Sequence, residues 1–337
     1  MKAVVVEKPG QVAIWDIAVP EPKANEALVR IEACGLCGTT DRHIVEGHQP
    51  HHRTDWYPAV LGHESVGIVE KVGVAVKKFR VGDRVTRPLA LWPGTERDGL
   101  YSAWGGFAEY GIVRDTTPGD YNTDRQYVVP RQLSVEDAVA AISFAEVASW
   151  MKKLGDLNGA TLVIGGTGFS ACVMSQCAKA AGAKTIVGFG RNAKKFAWMI
   201  RNGATHTLLL RDEIKQQFQQ LNHGAGADWF LDAAGHQAVF EAGLRLLKPG
   251  GQAAIYGAPD GFAYRLPLGS LGGADFTVRY LSPADDVYFP EVCERLIRRE
   301  LDASLVRTHV WKGLASITEA LKAQAEGEVL KGLITTP

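Results

Sequence analysis

Apolar and polar positions alternate in short runs over the first third of the chain, broken by glycine and proline, so that segments 3–6, 11–16, 26–33, 67–72, 83–87 and 106–113 read as strands between turns. The alternation is sharpest in ALVRIEA, where Leu28, Arg30 and Glu32 share one side and Val29 and Ile31 the other. A partly closed antiparallel β-domain is the simplest solution. After Leu133 the pattern turns helical over SVEDAVAAISFAEVASWMKKL, with Ser134 as N-cap and Glu136 and Asp137 in the first turn. From Gly159 strands and helices alternate: ATLVIG, the turn GGTGFS, the helical run ACVMSQCAKAAGA and the strand KTIVGFG form a βαβ unit, and two further strand-helix repeats follow. This predicts a doubly wound parallel sheet with a dinucleotide site at the carboxyl ends of its strands. Two helical runs, YFPEVCERLIRRELDA and GLASITEALKAQAEG, and a short strand, VLKGLITT, close the chain.

Composition narrows the partners. A chain of 337 residues has room for about two domains. Lys plus Arg balances Asp plus Glu at 37 each, which argues against nucleic-acid or membrane-surface partners and for small neutral ligands. The five cysteines, Cys34, Cys37, Cys172, Cys177 and Cys293, are irregularly spaced, so no disulfide framework is expected and a reducing, cytoplasmic home is. MKAVVVEKPG reads as a strand and a turn without an apolar signal core, and no apolar run reaches membrane-spanning length.

The candidate chemistry gathers in CGLCGTTDRHIVEGHQPHHRTDWYPAVLGHE, which holds Cys37 in a glycine-punctuated turn, the pair His63 and Glu64 behind Gly62, and five of the nine histidines. Thiolate, imidazole and carboxylate are the side chains that bind Zn2+. The competing reading is a buried free cysteine beside a solvated histidine-rich loop. Glu146 sits inside an otherwise apolar helical run, so it must be paired, protonated, exposed or bound to a metal.

In the parallel half, Gly165, Gly166, Thr167, Gly168, Phe169 and Ser170 occupy the strand-to-helix turn that lets backbone N–H groups reach a pyrophosphate. The G-x-G-x-x-G pattern is broken: Gly165 fits its first position, but Thr167 and Ser170 stand at the second and third, with Gly168 displaced by one. At the end of the second strand, where an NAD site carries an acid, this chain has Gly190 and Arg191, with Lys194 and Lys195 nearby. These suit a 2′-phosphate and favour NADP over NAD, the alternative being a solvated helix start.

ACGLCGTTD, YPAVLGHESVGIVEKVG, FRVGDRV, GGFAEY, the glycine turn and LKPGGQAAIYG, in this order, make the whole chain resemble the zinc-dependent medium-chain dehydrogenase/reductase family, closest in motif to its sorbitol and glucose dehydrogenase branch. The resemblance implies a GroES-like partly closed β-barrel catalytic domain over 1–150, a Rossmann doubly wound parallel sheet over 151–284 and a return to the catalytic domain over 285–337. It implies one catalytic zinc on Cys37 and His63 with Glu64, Glu146 or both, and no structural zinc, because PLALWPGTERDGLYSAWGG has no cysteine. Trp92, Tyr101 and Trp104 are expected to pack that lobe rather than line the substrate cleft. Thr39 or Thr40 would carry the substrate proton, since this chain has one residue more than the usual spacing before Asp41. Asp41 would orient His63, and His43 would end the relay. Gly257, closing LKPGGQAAIYG, joins the cofactor set of Gly165, Thr167, Gly168, Phe169, Ser170, Gly190, Arg191 and Lys195. The loop of His48, His51 and His52 with Trp56 would border the entrance, a solvated loop being the alternative. The implied activity is NAD(P)-linked oxidation of a secondary alcohol of a polyol or sugar in a homo-oligomer, dimer or tetramer. Its rivals are a metal-free enone or quinone reductase of the same fold and a catalytically idle binding protein.

Overall fold

The structure is a computed structural model that describes residues 1–48, 56–117, 119–257, 263–266, 269 and 275–336. The chain divides into two compact units, one of Met1–Ser143, Phe289–Ile297 and Arg307–Pro337, the other of Phe144–Tyr288 and Arg298–Val306.

In chain order the first unit holds β1 (Lys2–Lys8), β2 (Gln11–Asp16), β3 (Glu26–Gly35), α1 (Thr40–Glu46), β4 (Ala59–Val60), β5 (Glu64–Val72), β6 (Arg84–Thr86), β7 (Glu96–Arg97), β8 (Leu100–Ser102) and β9 (Tyr110–Arg114). Helix α2 (Val135–Lys152) follows, with the Ser134 hydroxyl accepting from the Asp137 amide at 3.1 Å, the N-cap that the sequence predicts. Next come β10 (Thr161–Gly165), α3 (Phe169–Ala180), β11 (Thr185–Gly190), α4 (Phe196–Arg201), β12 (His206–Leu209), α5 (Ile214–Leu221), β13 (Ala227–Asp232), α6 (Gln237–Arg245), β14 (Leu247–Ile255) and β15 (Phe276–Tyr280). The chain closes with α7 (Asp285–Ile297), β16 (Arg307–Lys312), α8 (Ile317–Ala325) and β17 (Lys331–Thr335).

Two sheets build the first unit, in the orders β2-β1-β4-β8-β7 and β16-β17-β3-β5-β6, with β9 also on β3. They are not wholly antiparallel as expected: β4 pairs β8 and β16 pairs β17 in parallel. Along β3 the inward positions Ala27, Val29, Ile31 and Ala33 are fully buried while Leu28, Arg30 and Glu32 are not, as the alternation predicts. Strand β5 starts at Glu64, three residues before the apolar run, because Glu64 pairs with Gly35 across the sheet. A Cβ at residue 35 would stand 2.6 Å from Glu64 Oε2, so this glycine makes room for the carboxylate.

The second unit's sheet runs β12-β11-β10-β13-β14-β15, every pair parallel. Numbered within the sheet this is 3-2-1-4-5-6, the doubly wound order whose switch point lies beside its first strand, here β10. Its core joins Val163, Val187, Phe189, Phe230, Val239 and Phe240. Gly165 ends β10 against that core, where a Cβ would come within 2.4 Å of Val239 Cγ1.

Candidate active site

The turn after β3 and the start of β5 bring Cys37, His63 and Glu64 together. One ligand atom from each lies within 4.8 Å of the others, and this is the group of metal-capable side chains found among the described residues. Asp41, fully buried on α1, organises two of the three. Its Oδ1 is 3.1 Å from His63 Nδ1, and its Oδ2 accepts from the Cys37 amide at 2.8 Å. With Nδ1 donating to Asp41, the neutral His63 ring has its lone pair at Nε2, the arrangement of a metal-bound histidine held by a carboxylate. The Thr40 amide donates to Cys37 Sγ at 3.4 Å.

Electrostatics follow the same geometry. Burial alone would push the His63 imidazole toward its neutral form, but the Asp41 carboxylate and then the Cys37 sulfur outweigh it, and the pKa stands well above the ordinary value. Burial would likewise raise the Glu64 carboxyl, yet Lys331 and then His63 bring it below its usual range. Lys331 is the partner that sequence reasoning missed. Its ammonium, on β17 and 4% exposed, donates to Glu64 Oε2 and to the Ser143 hydroxyl at 3.0 Å, and that hydroxyl donates to Glu64 Oε1 at 2.8 Å. Glu64 raises the Lys331 pKa against the opposing effect of burial, so both ends of the pair are charged. Each carboxylate oxygen keeps a second acceptor lobe.

The other expected residues distribute as follows. Thr39 is the exposed N-cap of α1 with no side-chain capping bond, and Thr40 is half-buried. His43 meets His48 edge-on at 6.1 Å between ring centroids. His51 and His52 lie outside the described residues. Glu146 is partly exposed on α2, one helical turn beyond Ser143. Cys34 packs in the first unit's core, where burial first and Asp41 second raise its thiol pKa well above the ordinary value. The three aromatics separate: Trp92 lies under the Arg114 guanidinium at 3.6 Å, Tyr101 stacks on Trp56 at 6.0 Å, and Trp104 faces the His63 ring at 5.4 Å. Trp104 holds a left-handed φ of 67°, so backbone strain accompanies that contact. Packing accounts for Trp92 and Tyr101, but Trp104 borders the metal-capable cluster.

In the second unit, Gly166 turns the chain at φ 120° and Gly168 caps α3, with open space where its Cβ would be. Phe169 and Ser170 open α3, in the first turn of a helix, where backbone N–H groups point toward an anion. The Phe169 ring turns to Phe144, 5.8 Å away, so only its backbone serves the turn. Thr167 is nearly buried beside Gly190, where a Cβ would meet its methyl at 3.0 Å. Arg191 is exposed just past β11, and Lys195 Nζ lies 5.7 Å from the Trp198 ring. Gly257 follows β14 with its amide on the Asp232 carbonyl at 3.0 Å, and a Cβ there would meet Ala233 backbone at 2.9 Å. A glycine-rich turn at a helix N-terminus fits a dinucleotide pyrophosphate, and the S, N and O donors of the first unit fit zinc.

Known proteins share both domains. Residues 23–118 match the alcohol dehydrogenase GroES-like domain, and residues 166–297 match the zinc-binding dehydrogenase domain. An alcohol dehydrogenase of Cupriavidus necator is 30% identical over 283 residues, covering 74% of this chain and 75% of its own. Sorbitol dehydrogenase of Bacillus subtilis is 26% identical over 279 residues, covering 77% and 75%. The solved alcohol dehydrogenase TADH from Thermus sp. ATN1 has the same fold at a TM-score of 0.83 and 24% identity, covering 100% of both chains. Among the described residues no helix is long and apolar enough to cross a membrane. Two matched domains in the same order, and a relative aligned over three quarters of its length, establish that the chain belongs to the zinc-type medium-chain dehydrogenase family, oxidoreductases that join a GroES-like β-domain to a Rossmann sheet.

Proposed function

We propose that this chain oxidises a secondary alcohol of a polyol or sugar, or reduces the matching ketone, with a nicotinamide cofactor and one zinc per chain. The observation that carries the reading is the convergence of Cys37, His63 and Glu64 within 4.8 Å, a ligand set with one cysteine and a carboxylate. The resemblance to the polyol branch offers Glu146 as a carboxylate ligand in place of Glu64 or beside it. Similarity to sorbitol dehydrogenase supports the polyol class. Zinc in this set would supply Lewis-acid polarisation of the substrate oxygen. The protein's own groups do the rest. Asp41 fixes the His63 tautomer and the Cys37 backbone. Lys331 and Ser143 keep Glu64 ionised and aimed. Thr40, half-buried and next to Cys37 Sγ, is the better placed of the two threonines to take the alcohol proton, with Thr39 and then His43 leading outward. Trp104 shields the His63 side from water.

On the cofactor side, the amides of Phe169 and Ser170 receive the pyrophosphate, with Gly165, Thr167, Gly168 and Gly257 shaping the turn. Gly190, Arg191 and Lys195 favour NADP over NAD. Five free cysteines support a cytoplasmic location.

Metal analysis together with a panel of polyols, aldoses and simple alcohols, each with NAD+ and NADP+, tests the reading. About one zinc per chain, with activity lost on chelation and restored by zinc, is expected. Protein purified without zinc and inactive when zinc is added would sink it.

A further inference from the structure

Just beyond the ends of β11 and β13, two side chains meet in a way that neither strand explains. His236 is the N-cap of α6, and its Nδ1 accepts the Ala238 amide at 3.3 Å. An imidazole nitrogen that accepts carries no proton, so in the neutral ring the proton sits on Nε2. That Nε2 is 3.5 Å from Arg191 Nη1. Two donors thus face each other at a separation that an acceptor oxygen would bridge. Their place in the sheet is equally specific. Strands β11 and β13 flank β10, and Gly165, the last residue of β10, is in register with Phe189 on one side and Asp232 on the other. Arg191 and His236 therefore converge over the carboxyl end of β10, beside the glycine turn, where the adenosine half of a dinucleotide lies.

We propose that His236 is a specificity-determining residue that, with Arg191, clamps an oxygen of the adenosine 2′-phosphate of NADP. This rests on the reading that the chain uses NADP. Arg191 supplies the fixed charge, and His236 supplies a second donor whose direction is set by its capping bond. NAD, with a hydroxyl at that position, brings no anionic oxygen to the pair. The pair thus recognises a phosphate monoester on the ribose and not the nicotinamide end.

Calorimetric titration of the full chain with NADP+, NAD+, adenosine 2′,5′-bisphosphate and 5′-AMP tests the clamp. His236→Ser keeps a capping hydroxyl for α6 and removes the second donor, so its melting temperature should match the wild type within a few degrees. Affinity for NADP+ and for adenosine 2′,5′-bisphosphate should fall about tenfold or more, the scale of a hydrogen bond to a charged group, while NAD+ and 5′-AMP bind as before. Arg191→Ala should cost more on the same two ligands. If the wild type prefers NADP+ and His236→Ser retains that preference, or loses all four ligands equally, the His236 role is overturned and the cofactor reading stands. If the wild type binds NAD+ at least as tightly as NADP+, the cofactor reading falls and the clamp falls with it.

Discussion

Replacing Lys331 by methionine would preserve the side chain's bulk and remove its charge, leaving Glu64 without its counter-charge in a place that water does not reach. The two side chains are 5% and 7% exposed, so neither can relax outward without opening the sheet. Losing one partner of a buried ion pair costs about 3–5 kcal/mol, because the survivor keeps its desolvation cost without compensation. The Ser143 hydroxyl still donates to Glu64, which places Lys331→Met near the lower end, about 3 kcal/mol. In a unit of this size that corresponds to a fall of about 6–12 °C in the melting of the first unit. Removing both charges in Glu64→Gln with Lys331→Met should recover most of the loss, and the coupling in that double-mutant cycle measures the pair. The sign with pH is also fixed. Glu64 is depressed in the folded state, so its contribution is present above the ordinary carboxylate pKa of about 4.3 and is lost as pH falls through the lower folded value. Lys331 is raised, so its share is present below about 10.4 and is lost as pH rises through the higher folded value. In Lys331→Met burial is no longer offset by the ammonium, so the Glu64 carboxyl is pushed upward, and the gap between wild type and variant should narrow on the acid side as the variant's Glu64 takes up a proton before the wild type's does. Calorimetry on the metal-free full chain reads this directly. A loss below about 1 kcal/mol at pH 7, or a double variant no more stable than the single one, would refute the reasoning.

Two further outcomes separate stability from binding in the second unit. Gly165→Ala drives a methyl to 2.4 Å from Val239 Cγ1 and should destabilise that unit by about 1–3 kcal/mol, whereas Gly168→Ala meets nothing within 4 Å and should leave melting unchanged while raising the cofactor KM; an unchanged KM would show that the turn does not receive the dinucleotide. Asp232 is raised by burial despite the Tyr264 hydroxyl donating to it at 2.6 Å, so the folded state holds that proton more tightly and the unit's stability should decline as pH rises from about 4 through the folded pKa; Asp232→Asn should flatten that slope, and a slope that persists refutes the assignment to Asp232.

What could be read in the sequence was what depends on local periodicity. Strand β2 has the bounds that its alternation predicts, and the parallel sheet follows from regular alternation of strands and helices. Strands β4 and β8, two and three residues long, exist because they pair with each other and with distant segments, and no local pattern announces them. The start of β5 at Glu64 depends on Gly35 opposite, which is register rather than periodicity. Cys37, His63 and Asp41 were legible because their chemistry is concentrated in one stretch. Lys331 was not, although a signal existed: a lysine between Leu330 and Gly332 in an apolar strand must be paired when buried, the same reasoning that singled out Glu146. Arg191 could be read from its place after the second strand, but His236 acquires meaning only when the sheet order brings β13 around to it.

The link between Glu64 and Lys331 joins positions 267 residues apart, and that separation bears on how the protein is made. During synthesis the stretch carrying Cys37 and His63 leaves the ribosome long before β17 exists, so Glu64 has no counter-charge while the Rossmann sheet is being produced and folded. Until β17 docks on β3, the nascent first unit holds an acid facing an unfilled sheet edge. Such non-local closure is slow and exposes strand edges while it waits. Completion of the metal-capable centre is thus a late event in biogenesis, and a chain cut short before residue 331 would carry the candidate ligands without the cation that keeps one of them in place.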